Sequence, residues 1–156
     1  MQKKTSFTLQ EAQKKLEYYC AYQERCHWEV ERKLKALEII PEAQELIITK
    51  LIEENYLNES RFAQSFARGK FNIKKWGKQR ILRELKARKI SEYNIKLALK
   101  EITDEAYQSA FYSLFEKRKK AVSSYSIPIQ KKKILAYMVY RGWESHLIYT
   151  ALNENF

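Results

Sequence analysis

The chain has 156 residues, 45% of them hydrophobic, with only 3 Gly and 2 Pro. It is long enough for one domain or a few small modules, too apolar for intrinsic disorder, and too poor in turn residues for a sheet-rich fold. The formal charge of +11 is concentrated in the middle: residues 61–100 hold 13 Lys/Arg against Glu84 and Glu92, while residues 1–60 sum to −2 and residues 101–156 to +2. That placement is aimed at a polyanion or an acidic protein surface.

In chain order, Met1 to Ser6 is polar and lacks the apolar stretch of a signal peptide. No apolar run reaches the roughly 18 residues of a membrane span. A flexible N-terminus over 1–7 and a cytoplasmic location are therefore expected. Thr8 reads as a helix N-cap followed by Ala12, Leu16 and Tyr19 on one face. Cys20 and Cys26 are expected to be free packed thiols. With His27 the only histidine nearby, they fall short of a metal site, and neither metal nor cofactor is expected. Val30, Leu34 and Leu37 mark a second helix, and Pro41 opens a third carrying Leu46, Ile47 and Leu51.

The sequence then repeats itself. Asn58 caps a helix bearing Phe62, Phe66 and Gly69; Ile81, Leu82 and Leu85 mark the next; Ser91 caps a third with Ile95, Ala98 and Leu99. Thr103 starts another round with Tyr107, Phe111, Leu114 and Phe115. It continues through a Pro128-led helix with Ile134, Tyr137 and Met138, and closes with a helix from near Trp143 or Glu144 that carries Leu147, Ile148, Ala151 and Leu152. Leu34-Lys35-Ala36 recurs 51 residues later as Leu85-Lys86-Ala87, Met138 lies 53 further on, and Ile90–Leu99 lines up with Trp143–Leu152. The spacing predicts an all-α fold of three tandem three-helix modules (8–56, 57–102 and 103–156) in an elongated, curved array. A single compact nine-helix domain is the alternative. Most of the 11 tyrosines are expected on core faces with their hydroxyls at the edge.

Tyr56, Leu57, Asn58 and Phe62 have the spacing of a hydrophobic staple around an N-cap, a structural role that docks one module on the next. Arg61 beside them suits either an interhelix ion pair or an outward contact. On the helix from Gly77, with Ile81 and Leu85 turned to the core, Arg80, Arg83 and Lys86 fall opposite or flanking. Arg61, Arg68, Lys70, Lys74, Lys75 and Lys78 extend this belt, interleaved with Phe71 and Trp76. Such a belt grips phosphates or carboxylates, with aromatics available to stack on bases; the plain alternative is a solvated basic face with Trp76 in the core. Lys117–Lys120 and Lys131–Lys133 form two further cationic clusters, open to the same two readings. There is no Gly-rich phosphate loop, no nucleophile–base arrangement around His27 or His146, and no acid cluster suited to a catalytic metal, so no enzymatic activity is expected.

The run Asn55-Tyr56-Leu57-Asn58-Glu59-Ser60-Arg61-Phe62-Ala63 resembles the Tyr-Leu-(Asp/Asn)-(Asp/Glu)-x-Arg-Phe-Ala signature of the RecX family. Trp76-Gly77 through Glu84-Leu85, Lys89-Ile90-Ser91, Glu29–Leu34 and Tyr140–Trp143 extend the likeness over roughly 20–156. Two departures stand out: Cys26 where a Ser commonly caps, and Lys89 where the family often has Gly. The resemblance implies a monomeric regulator that binds RecA and its filament on single-stranded DNA, modulating recombination, repair and the SOS response. The competing classes are a stand-alone helix-turn-helix-like DNA-binding protein and a protein-only scaffold.

Overall fold

The computed structural model describes residues 6–156, so the expected flexible stretch 1–7 lies for the most part outside the described residues. Among the described residues there are nine helices and no strand: α1 (Leu9–Tyr22), α2 (His27–Ala36), α3 (Pro41–Glu53), α4 (Glu59–Asn72), α5 (Lys78–Ala87), α6 (Glu92–Lys100), α7 (Asp104–Ala121), α8 (Ile127–Tyr140) and α9 (Ser145–Asn155).

The helices start where the side chains can take up free amides. Thr8 Oγ1 accepts from Glu11 N and the Glu11 carboxylate accepts from Thr8 N, both at 3.1 Å. Asn58, Ser91 and Thr103 accept from the amides of Arg61, Asn94 and Ala106 at 2.9, 3.3 and 3.2 Å. Cys26 supplies no capping oxygen to α2. Glu29 instead takes the Cys26 amide at 3.2 Å, and the thiol is wholly buried.

Helix ends reveal the repeat more sharply than helix starts. After α2, α3, α5 and α8 the chain turns left-handed at Glu38, Asn55, Lys89 and Gly142, with φ of 59°, 62°, 59° and 96°. The next amide then reaches back to the last inward apolar residue: Ile39 to Leu34, Tyr56 to Leu51, Ile90 to Leu85 and Trp143 to Met138, at 2.9–3.1 Å. These are Schellman terminations, each with its apolar contact. Lys89 thus occupies a conformation that glycine adopts without strain. Lys89→Gly is expected to raise the unfolding free energy by about 0.5–1 kcal/mol, the strain relieved less the added unfolded-state entropy. An unchanged urea midpoint would contradict this.

In the first triplet α1, α2 and α3 all pack on one another; in the second, α4 packs chiefly on α6, with α5 against both; in the third, α8 packs on α7 and α9. Two cores result. One, among α1–α3, holds Ala12, Leu16, Cys20, Val30, Leu34, Ile47, Leu51 and Leu57; the other runs unbroken through α4–α9 and takes in Cys26 as well. Phe7 packs against the first core. The accessible surface is 10442 Å². A compact chain of this mass would expose about 8,300 Å², so this is an elongated array in which neighbours lend each other burial.

Some expected faces differ. Leu46 is exposed rather than turned into α3's core. Leu57 and Phe62 do not pair as a staple but fall in different cores, with Tyr56 joining Leu57 against the first. Of the tyrosines only Tyr107 is buried, whereas Tyr18, Tyr22, Tyr93, Tyr112, Tyr125, Tyr140 and Tyr149 are exposed.

Cys20 and Cys26 are both free and buried, and burial pushes each thiol from 9.0 up to about 11. At pH 7.5 the thiolate population is then about a hundredfold below that of an ordinary thiol. Because the unfolded thiols ionise first, stability falls as the pH rises from 9 toward 11. The folded chain is expected to resist a thiol-specific disulfide reagent at pH 7.5 until denaturant is added. Rapid labelling without denaturant would contradict that burial.

Candidate polyanion interface

The central belt is built on the α4–α5 connector and on α5. At 100° per residue, Arg83 lies opposite the Ile81–Leu85 core stripe, with Arg80 and Lys86 on either side. Ile81 and Leu85 are fully buried and anchor this orientation.

The connector is held by residues far away in sequence. The Arg141 guanidinium donates to the Lys74 carbonyl, and the Trp143 indole donates to the Lys75 carbonyl at 3.2 Å. Gly77 N donates to Arg141 O at 2.9 Å and Gln79 N to Gly142 O at 3.0 Å. This close approach requires both glycines. A Cβ on Gly77 would sit 2.3 Å from Gly142 O, and one on Gly142 would sit 2.2 Å from Arg80 Cβ. The Lys78 amide donates to the Tyr107 hydroxyl at 2.9 Å, and that hydroxyl donates to the Glu144 carboxylate at 2.7 Å. Burial, with Glu144 adding to it against the Lys78 amide, raises the Tyr107 phenol far above its ordinary range and keeps it a neutral donor. In the first turn of α5, which carries no acid, the amides of Lys78 and Gln79 are thus satisfied by the third triplet. Lys74 and Lys75 are left with a fixed backbone and exposed side chains.

Aromatic faces organise the remaining cations. Lys70 lies 5.0 Å from the Trp76 ring centre; Arg80 lies 4.1 Å from Trp76 and 4.9 Å from Tyr140; Lys78 lies 4.6 Å from Tyr107. A cation held on a ring keeps its charge, since no carboxylate neutralises it. Among the described residues, none of Lys70, Lys74, Lys75, Lys78, Arg80, Arg83 and Lys86 makes an ion pair. Of the two acids in this stretch, Glu84 is engaged within its own helix by Arg88 at 2.9 Å. Trp76 is partly buried against the larger core and offers its faces to these cations.

Two of the expected contact residues are otherwise engaged. Arg61 donates to Glu24 at 2.7 Å, to Asn55 Oδ1 at 3.1 Å and to the carbonyls of Asn55 and Tyr56 at 3.0 and 3.3 Å. An ion pair is formed, but with Glu24 of the α1–α2 connector and not with another helix, and it ties the first triplet to the second. Arg68 pairs with Glu101 at 3.0 Å in an exposed bridge, which contributes little and opens readily. The residues that sequence reasoning missed are Arg141, Trp143, Glu144 and Tyr140. Only the Tyr140–Trp143 family motif hinted at them, because they reach the belt from the far end of the chain.

A family model for the second three-helix domain of RecX matches residues 58–99. Regulatory protein RecX of Bacillus cytotoxicus is 27% identical over 136 residues, and that of Bacillus cereus is 28% identical over the same length; each alignment covers 87% of this chain. The chain spans about half the length of these relatives, 50% in both cases. The crystal structure of RecX from Lactobacillus salivarius superposes with a TM-score of 0.80 at 27% identity, covering 94% of this chain and 95% of that one. A second crystal structure, of a regulatory protein RecX, gives 0.83 at 22% identity over 94% of this chain and 73% of the other, a likeness of fold.

Proposed function

We propose that this chain is a non-catalytic regulator of the RecX type, which binds RecA and its filament on single-stranded DNA; the match of its second triplet to the RecX model and the likeness to RecX proteins and structures support this reading. Its three modules, 8–56, 57–102 and 103–156, lie along the filament as a monomer in the cytoplasm. There they modulate filament growth, ATP hydrolysis and access to duplex DNA, and with them recombination, repair and the SOS response.

The observation that carries this reading is the run of seven cations with no carboxylate partner among the described residues, on a backbone held by the third triplet. Uncompensated charge of one sign repels itself until an anion meets it. Filament-bound phosphates and acidic recombinase side chains both supply that anion. Lys74, Lys75, Arg83 and Lys86 are the exposed contacts; Lys70, Lys78 and Arg80 are positioned by their rings, and Arg68 joins them if it exchanges Glu101 for the partner. Arg61 is left out of the contact set.

The test is salt dependence. If five phosphates are neutralised, log affinity for RecA filaments on single-stranded DNA falls against log salt with a slope of about −3.5 at single-strand charge density, and about −4.5 at that of a duplex. Salt-independent binding to RecA would favour a protein-only scaffold. Sequence-preferring duplex binding without RecA would favour a stand-alone helix-turn-helix-like DNA-binding protein. Either result overturns the belt as the filament contact.

A further inference from the structure

Away from the belt, the first triplet carries two tyrosines where exposure is hardest to explain. Tyr18 and Tyr22 are each 72% exposed, one turn apart on α1, with ring centres 6.4 Å apart and planes inclined by 28°. Lys14 lies one turn before Tyr18, so Lys14, Tyr18 and Tyr22 form a single ridge. The ridge borders a groove of about 480 Å³ between α1 and α2, whose lining includes Lys15, Arg25 and Lys33 and no acidic residue.

The groove's cations divide into two kinds. Arg25 is structural: it pairs with Glu29 at 3.7 Å, donates to the Tyr19 carbonyl at 3.1 Å and lies 3.8 Å from the Tyr19 ring centre. Lys14, Lys15 and Lys33 make no ion pair among the described residues; Lys15 rests 4.9 Å from the Phe7 ring and Lys33 5.5 Å from the Tyr19 ring. Three ammoniums outside any ion pair among the described residues, of which Lys15 has a carboxylate, Glu11, acting on it from one turn away, stand beside two bare rings in a stretch, residues 1–60, whose sum is −2.

We propose that this α1–α2 face is a second binding site, which takes single-stranded nucleic acid by stacking bases on Tyr18 and Tyr22 and drawing the backbone phosphates to Lys14, Lys15 and Lys33. An apolar helix would cover the rings and leave the cations unmatched. An acidic peptide would match the cations and leave the rings bare. Unpaired bases on a phosphate backbone use both, and rings stack on any base without reading sequence. The site involves no residue of the belt and does not need the recombinase.

The test is anisotropy of labelled (dT)20 and (rU)20 with the full chain, without RecA, in a background carrying Lys74→Glu, Arg83→Glu and Lys86→Glu so that the belt does not mask the site. Adding Tyr18→Ala and Tyr22→Ala is expected to weaken binding about thirty-fold, roughly fivefold per ring at the low end of a base–aromatic stack. Tyr18→Phe with Tyr22→Phe keeps the rings and is expected to bind within twofold of its parent. The two oligonucleotides differ in the sugar and in the base C5 methyl, and either order of affinity supports the proposal. Equal binding of an abasic strand, which needs no variant to fold, would overturn it. So would a Phe pair as weak as the Ala pair, or polyglutamate displacing the label as well as unlabelled oligonucleotide does. None of these results touches the belt as the filament contact, which lies in a different triplet.

Discussion

Gly142→Ala is expected to lower the unfolding free energy by about 2–5 kcal/mol, from backbone strain and overpacking together. Gly142 sits at φ 96°, where an L side chain is strained by about 1–2 kcal/mol. Its new Cβ would also lie 2.5 Å from Arg80 N and 2.2 Å from Arg80 Cβ. The obstacle is the backbone of α5, not the end of a flexible side chain, and overpacking of that kind costs about 1–3 kcal/mol. Relief requires the second and third triplets to separate, which breaks the Gly77–Arg141 and Gln79–Gly142 hydrogen bonds. Gly77→Ala meets the same contact from the other side at an ordinary φ of −76°, so the smaller loss of about 1–3 kcal/mol is expected. Urea denaturation followed by far-UV circular dichroism measures both. A Gly142→Ala midpoint equal to wild type would mean that the two triplets are not joined through this backbone contact.

The second large effect concerns binding and costs little stability. Lys74→Glu, Arg83→Glu and Lys86→Glu together are expected to weaken association with RecA filaments on single-stranded DNA a hundredfold or more at moderate salt. The three side chains are exposed and make no ion pair among the described residues, so reversing them breaks no ion pair, and the one internal cost is an acid in place of Lys86 in the last turn of α5, about 0.3–1 kcal/mol. Each reversal removes one attraction and adds one repulsion. At roughly 0.5 kcal/mol per exposed charge interaction, the six changes sum to about 3 kcal/mol, which is over a hundredfold. Lys78 and Arg80 are poorer choices because their cations rest on Tyr107, Trp76 and Tyr140, and reversal there would disturb the junction as well. Unaltered binding by a triple variant that still melts cooperatively would remove the belt from the mechanism.

The belt's charge was legible in sequence because it is a matter of composition: 13 cations against two acids within forty residues. Its organisation was not. Arg61 and Arg83 look alike in a linear reading, yet one closes on Glu24, 37 positions earlier, and the other faces solvent. The tyrosines misled for a related reason. Spacing places them on helix faces but does not say which face meets a neighbour, and Tyr107 is buried because Trp143 stacks on it at 4.6 Å, while Tyr18 and Tyr22 meet nothing comparable and stay exposed. Leu46 follows the same logic on α3, where Ile47 and Leu51 take the core positions.

What the sequence determined by itself is the set of local decisions: helix starts at Thr8, Asn58, Ser91 and Thr103, the apolar stripes, and the 51- and 53-residue recurrence that makes the chain a repeat. Capping and helical periodicity act over three or four residues, so one strand of text contains both partners. Only the tertiary structure decided that the second and third triplets share a core while the first keeps its own, that the Lys78 and Gln79 amides of α5 are taken by Tyr107 and Gly142, and which cations stay unpaired. Those outcomes rest on contacts between groups some 30 to 70 positions apart, and nothing in local spacing encodes which distant surface arrives.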